Sequence, residues 1–439
     1  MNISVFGLGK LGAVLAALYS NHGHNVFGVD KNDEIILKIN KKISPFDEPN
    51  LQELIDNSGE SLQATLDASY ALDNSDISFV IVPTPSKEDG SFNNEFVLEV
   101  LRAIAKKISV KHNFHTIILS STVLPGTCEE IFLIELEKIS NKKAGIDFGF
   151  VYSPEFIALG SIVLNMSNPD LILLGATDTK SSQIAEELLK SVTSNSPNVY
   201  RMNLINAEVV KIAINTYITT KISFANMLSE LCSKLPNADG EVVNDAVGGD
   251  SRIGKKYFRG AVGFGGPCFP RDNAALTFLM ESKGMPAELP KATNSINSHQ
   301  INRVLQIVES NLSIYEGITI LGIAYKPDTP VIEGSQSLLL AEKLLRIGKK
   351  VTLHDPLALD PLINFENEYA VFERNLEEAI NSSQVLIIMT PWTEYSKLSA
   401  NLLNGKIIID CWSTLKNIEH PDSKIISLGK FQESEVGKI

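Results

Sequence analysis

The stretch ISVFGLGKLGAVLAALYSNHGHNVFGVD, residues 3–30, decides the fold. A short apolar run, ISVFG, meets Gly7, Gly9 and Gly12 at G-x-G-x-x-G spacing. A helix-like run, AVLAALYSNHG, follows, and a second strand-like run, NVFGVD, closes on Asp30. Strand, glycine turn, helix and strand make one βαβ unit of the doubly wound type. In that setting the glycines let the backbone approach a pyrophosphate, and the helix N-terminus aims N–H groups at it. Asp30 stands where a carboxylate binds ribose hydroxyls. The same acid repels a 2′-phosphate, so the expected cofactor is NAD rather than NADP.

Outward from this unit, ISFVIVP from 77 and TIILSST from 116 continue a parallel sheet. The second half repeats the grammar. GITILGIA starts at 317, a helix-like stretch covers 335–347, KKVTLHDP ends near Asp355, and QVLIIMTP and KIIIDCW begin at 384 and 406. Between the halves, residues 204–235 contain neither Gly nor Pro and keep apolar residues three and four apart. They predict one long helix that joins the halves and supplies a dimer surface, or else an ordinary core helix, which would leave Lys211 unexplained. The expected fold is α/β, with two Rossmann-like doubly wound domains joined by a long central helix. The expected domains are 1–203, which binds the dinucleotide, a central region 204–300, and 301–439.

At 439 residues the chain exceeds the roughly 250–300 that one core supports. A net charge of −13 argues against nucleic acid or an anionic membrane as partner, so any anion site must be local. The N-terminus lacks the basic and long apolar regions of a signal peptide, and the chain reads as cytoplasmic. Cys128, Cys232, Cys268 and Cys411 lie far apart without Cys-x-x-Cys spacing, so they are expected as free thiols and no metal site is expected.

One of those cysteines stands in VGFGGPCFPRD, residues 262–272. Pro270 suits a first helical turn, which puts Cys268 just outside the positive end of a helix, a position that favours a thiolate. Gly263, Gly265 and Gly266 leave room for a substrate, and Asp272 lies four residues on. A buried inert cysteine is the usual reading of a lone thiol, and the Gly-Gly-Pro context weighs against it. Lys211 and Asn215 are spaced i, i+4 on one helix face, where both can donate to a developing oxyanion, although a solvent-facing lysine fits the spacing equally. Glu155 in YSPEFIALG suits a general base or a plain turn. DSRIGKKYFRG places Arg252, Lys255, Lys256 and Arg259 before the cysteine loop, as a diphosphate clamp or a solvated basic loop.

Taken together, GLGKLG, VPTP, STVLPGT, SPEF, NAEVVKIAINTY, DSRIGKKYF, GFGGPCFPRD and YKPDT resemble, in order and across nearly the whole chain, the UDP-glucose/GDP-mannose dehydrogenase family. GFGGPCFPRD is the most specific of them. The resemblance implies oxidation of the primary alcohol of a nucleotide sugar, most readily a UDP-sugar, to a carboxylate, for surface polysaccharide synthesis. It implies Cys268 as nucleophile beside Lys211, Asn215 and Asp272, with Thr122 positioning water and Glu155 in the hydrolytic or proton-transfer step. For NAD it implies Gly7, Gly9, Lys10, Leu11, Gly12, Asp30, Pro83, Thr84 and Thr122. For the substrate it implies Glu155, Phe156, Lys211, Asn215, Arg252, Tyr257, Gly265, Cys268, Tyr325 and Lys326, with Arg252 supplied by a neighbouring subunit and hence a homodimer or larger homo-oligomer.

The chain departs from the family's pattern twice. Ile332 stands where the family usually has an arginine, and Leu159 where many relatives carry a second glutamate. The rival expectations are a single-step hydroxyacid or 6-phosphogluconate type dehydrogenase with a structural Cys268, and a non-catalytic nucleotide-sugar-binding regulator.

Overall fold

The computed structural model describes residues 1–311, 317–360, 369–416, 418 and 422–431. The chain divides into two compact units, the first covering Met1–Ala213 and the second beginning at Ile214.

The first unit is an eight-stranded sheet of β1 (Asn2–Phe6), β2 (Asn25–Val29), β3 (Leu62–Thr65), β4 (Ile77–Val80), β5 (His115–Leu119), β6 (Phe148–Tyr152), β7 (Leu171–Ala176) and β8 (Asn198–Met202). Their order is β3-β2-β1-β4-β5-β6-β7-β8. All neighbours pair in parallel except β6 with β7. The sheet turns outward in both directions from β1 and β4, so the switch of strand order falls at their carboxyl ends. Strands β4, β5 and β6 are buried at every position, so their sequences are mainly apolar rather than alternating, and the polar Ser78 and His115 among them are buried and hydrogen-bonded to each other. One apolar cluster, with Val5, Leu15 and Ile172, lies on one face, and another, with Phe6, Leu101 and Phe150, on the other.

The helix Lys10–Asn21 follows the glycine turn, with Gly9 at its N-cap and Gly23 at φ +82° just beyond its end. Its buried run Gly12–Ser20 is rich in alanine, which lets the helix sit close on the sheet. A turn of π-helix, Cys128–Leu133, follows β5, and no sequence pattern announced it.

The second unit carries a wholly parallel six-stranded sheet, β9 (Gly317–Leu321), β10 (Lys350–His354), β11 (Ala370–Phe372), β12 (Val385–Ile388), β13 (Ile407–Asp410) and β14 (Lys424–Ser427), in the order β11-β10-β9-β12-β13-β14. The predicted helix at 335–347 is Gln336–Arg346, and Ser335 caps it through the Leu338 N–H. The long helix is continuous over Leu204–Cys232, 29 residues, and runs from the last residues of the first unit into the second.

Each sheet ends its second strand on an aspartate, and the two differ. Asp355, after β10, is buried. Its Oδ2 accepts Ile323 N–H, Ala324 N–H and Trp392 Nε1–H, and its Oδ1 accepts Leu357 N–H and Ala358 N–H. Five donors leave it nothing for a ribose, so in the second unit the acid is a brace for loops. Among the described residues no helix is long and apolar enough to cross a membrane.

Candidate active site

In the first unit the glycine loop has the geometry a dinucleotide needs. Gly7 has φ +93°, and a Cβ there would lie 2.1 Å from the Ile81 carbonyl oxygen. A Cβ on Gly12 would lie 1.9 Å from the Gly7 oxygen, so this position seats the helix against the turn. Gly9 is exposed and a Cβ there would meet nothing within 4 Å, so this glycine keeps a surface open rather than a contact tight. Among the described residues no side chain caps Gly9 and no acid lies in the first turn, which leaves the positive end of the helix for an anion. Lys10 and Leu11 form that first turn and are half-buried. Asp30 is half-buried, with Oδ2 accepting Leu8 N–H at 2.6 Å and Oδ1 accepting Asn32 N–H at 2.9 Å. These features fit NAD.

Beside the turn, Thr84 Oγ1–H donates to the Thr122 carbonyl at 2.7 Å. Ser121 Oγ accepts Val82 N–H and donates to the Val82 carbonyl. The loops after β4 and β5, which carry Pro83, Thr84 and Thr122, are therefore tied together.

Lys211 is not solvent-facing. It is buried, its Nζ donates to the Glu155 carbonyl at 2.7 Å, and it lies 4.7 Å from the centre of the Phe156 ring. Glu155 follows β6, and desolvation pushes its carboxyl up to about 7 despite the opposing Lys211 charge. Lysine, glutamate and phenylalanine thus form one cluster that links the long helix to the loop after β6.

In the second unit, the helix Phe269–Ser282 begins one residue before the expected Pro270, which occupies the first turn, and Cys268 is its N-cap. Among the four cysteines Cys268 is exposed, and Cys128, Cys232 and Cys411 are buried thiols. Asp272, on the first turn, is fully buried and accepts Asn215 Nδ2–H at 2.6 Å, so the carboxylate fixes the amide that the long helix presents. The room expected at Gly263, Gly265 and Gly266 is taken up by the chain itself, with Gly263 packed on Asn297, Gly265 on the Gly334 backbone and Gly266 on the Tyr325 ring. A Cβ on Gly265 would lie 2.2 Å from the Gly334 oxygen, and one on Gly266 2.6 Å from the Tyr325 ring. Tyr325, half-buried, has its phenol raised, first by desolvation and then by Cys268 and Tyr257. Tyr257 adopts φ +62° and sets its ring edge-on to Phe269. Lys326 Nζ reaches the Pro327 carbonyl at 3.4 Å.

The basic run is dispersed. Arg252 is 85% exposed and pairs with Asp250, Lys255 pairs with Asp245, and Arg259 donates to the Trp412 carbonyl. Ile332 packs on the apolar core of the second unit, and Leu159 on that of the first.

Two buried carboxylates of the first unit escaped the sequence reading. Glu48 accepts Gly160 N–H and Ile162 N–H and so holds the end of the Glu155 loop. Glu208, fully buried on the long helix, accepts Gly126 N–H and Cys128 N–H. Nothing local marks Glu48. Glu208 stands three residues before Lys211, on the same helix face, and a second charge on an apolar helix was the available signal.

Three family models match the chain, all of the UDP-glucose/GDP-mannose dehydrogenase family: its NAD binding domain at residues 1–193, its central domain at 205–299 and its UDP binding domain at 319–417. The chain is 30% identical over 422 residues to the UDP-glucose 6-dehydrogenase AglM of Haloferax volcanii, covering 93% of this chain and 96% of that one. It is also 30% identical over 424 residues to the GDP-mannose 6-dehydrogenase of Pseudomonas putida, covering 93% and 95%. Among solved structures, a UDP-glucose dehydrogenase from Pyrobaculum islandicum superposes with a TM-score of 0.90 at 30% identity, over 98% of both chains. With a dinucleotide turn that fits NAD and matches running through all three regions, the chain belongs to the UDP-glucose/GDP-mannose dehydrogenase family and is an NAD-dependent nucleotide-sugar 6-dehydrogenase.

Proposed function

We propose that the protein oxidises carbon six of a UDP-sugar from alcohol to carboxylate in two steps, with Cys268 as the covalent nucleophile. The observation that carries this reading is the exposed thiol at the N-cap of the helix Phe269–Ser282, where the helix end favours an anion. The match of residues 319–417 to a UDP binding domain supports UDP as the nucleotide. In this reading residues 1–203 hold NAD, 204–300 form the central catalytic and dimerisation region, and 301–439 hold the nucleotide sugar.

NAD, when bound, accepts a hydride, one equivalent for each oxidation. The alcohol loses a proton and a hydride to give the aldehyde. Cys268 Sγ adds to the aldehyde carbon, and the oxygen takes a proton, giving a thiohemiacetal. Lys211 and Asn215 donate to that oxygen, with Asp272 holding the Asn215 amide in place. Loss of a second proton and hydride leaves a thioester. Glu155 takes a proton from water that Thr122 orients, the C–S bond breaks, and the acid leaves as the thiol is restored. Phe156, Tyr257, Gly265, Tyr325 and Lys326 line the substrate, and Arg252 of a second copy closes on its phosphates. The stripe of exposed apolar side chains on the long helix, with Tyr217, Phe224 and Leu231 seven residues apart, supports a homodimer. A nucleotide-activated uronic acid is a glycosyl donor, which supports surface polysaccharide assembly as the use of the product. The buried free thiols suit the reducing cytoplasm.

The test is NADH formed per sugar consumed across UDP-glucose, UDP-N-acetylhexosamines and GDP-mannose, with Cys268→Ser alongside. The expected result is two NADH per molecule of one UDP-sugar, and a variant that binds NAD and sugar but releases no acid at the normal rate. One NADH per sugar, or unchanged turnover in the variant, overturns the covalent scheme. Turnover of none of these sugars overturns the assignment of the substrate.

A further inference from the structure

Glu208 is the most deeply buried charge on the face of the long helix that carries Lys211, and none of the chemical steps uses it. Burying a carboxylate is costly unless donors meet it, and a backbone N–H meets each of its oxygens. Gly126 N–H lies 2.6 Å from one oxygen and Cys128 N–H 2.8 Å from the other. These donors stand at the far end of the loop SSTVLPGT, residues 120–127. The near end of that loop is tied to the loop after β4 by Ser121 and by the Thr122 carbonyl. Thr122 therefore sits on a segment clamped at both ends, and one clamp is Glu208. The same helix, one turn on, sends Lys211 to the Glu155 carbonyl. Gly126, at φ +97°, makes the turn that brings its N–H to the carboxylate.

We infer that Glu208 is a positioning residue, which sets the Thr122 loop against the long helix so that Thr122 and Lys211 keep a fixed spacing. The inference rests on the proposed role of Thr122. Pre-organisation of this kind is felt in rate more than in binding, since a misplacement of about 1 Å costs on the order of 100-fold.

The test is a double-mutant cycle on kcat, with melting temperature followed in every variant. Glu208→Gln keeps the shape and one acceptor oxygen but cannot accept both N–H groups. It is expected to lower kcat about tenfold or more, with KM for NAD changed far less. Thr122→Ala is expected to lower kcat as well. The double variant should match the worse single variant, because once Thr122 is gone its loop has nothing left to place. Should Glu208→Gln fail to fold, Glu208→Asp, which keeps the charge on a shorter arm, enters the same cycle. Fold-losses that multiply, or a kcat that follows melting temperature alone, make Glu208 a structural brace and overturn the inference. An inert Glu208→Gln beside an impaired Thr122→Ala overturns it too, while leaving the role of Thr122 intact. An unimpaired Thr122→Ala removes both.

Discussion

Glu155 holds its carboxyl near 7 because the loop after β6 desolvates it more than the neighbouring Lys211 charge compensates. As the proposed base it works deprotonated, so kcat should rise with pH through about 7. Glu155→Gln should erase that limb and lower kcat about 100-fold or more at pH 8, read from pH–rate profiles of the two proteins. Stability should carry the opposite sign. The folded carboxyl binds its proton more tightly than the unfolded one at 4.5, so its contribution is complete below 4.5 and is lost as pH rises through about 7. Denaturant melts across that window should show wild type losing stability where Glu155→Gln does not. The glutamate itself was visible in SPEF, but its burial and the opposing charge of Lys211, 56 positions away, are set by tertiary packing, which no local pattern encodes.

At the scale of the element, the glycine turn separates two jobs that one motif mixes. Gly12→Ala drives a Cβ into the Gly7 carbonyl, with backbone on both sides and nothing flexible to yield. It should lower the melting temperature, at a cost of about 1–3 kcal/mol, and weaken NAD together with it. Gly9→Ala meets open space, so its melting temperature should stay within a degree or two of wild type. Its NAD affinity, by calorimetric titration, should still fall at least tenfold if the pyrophosphate lies where that Cβ would project. Equal behaviour of the two variants would refute the placement. The βαβ grammar, both sheets and the long helix were legible because strand, helix and glycine periodicities are local. The antiparallel step from β6 to β7, the π-turn at Cys128–Leu133 and the two loop-pinning glutamates were not, since each is set by partners distant in sequence. Cys268 was legible in kind, and its N-cap position moved by only one residue from expectation.

At the scale of the whole molecule, two surface features of the second unit bear on the proposed homodimer. Tyr217 at 62% and Leu231 at 53% exposure leave apolar area on the long helix that a lone chain has no reason to present. Tyr217→Glu with Leu231→Glu should convert the proposed dimer to monomer by sedimentation, and an unchanged mass would remove this face from the interface. Among the described residues Arg252 pairs with Asp250, in a surface pair worth little, so exchanging that partner for a substrate phosphate on a second copy is inexpensive. An arginine that works across the interface can be distinguished from one that works within its chain. Arg252→Ala and Cys268→Ala should each be inactive as homodimers. Co-expressed, they form mixed dimers in which one site combines an intact Cys268 with an intact Arg252 from the other chain. Activity should return to roughly one quarter of wild type, because half the dimers are mixed and each has one competent site. Within-chain action gives no recovery, since every site then lacks one residue or the other.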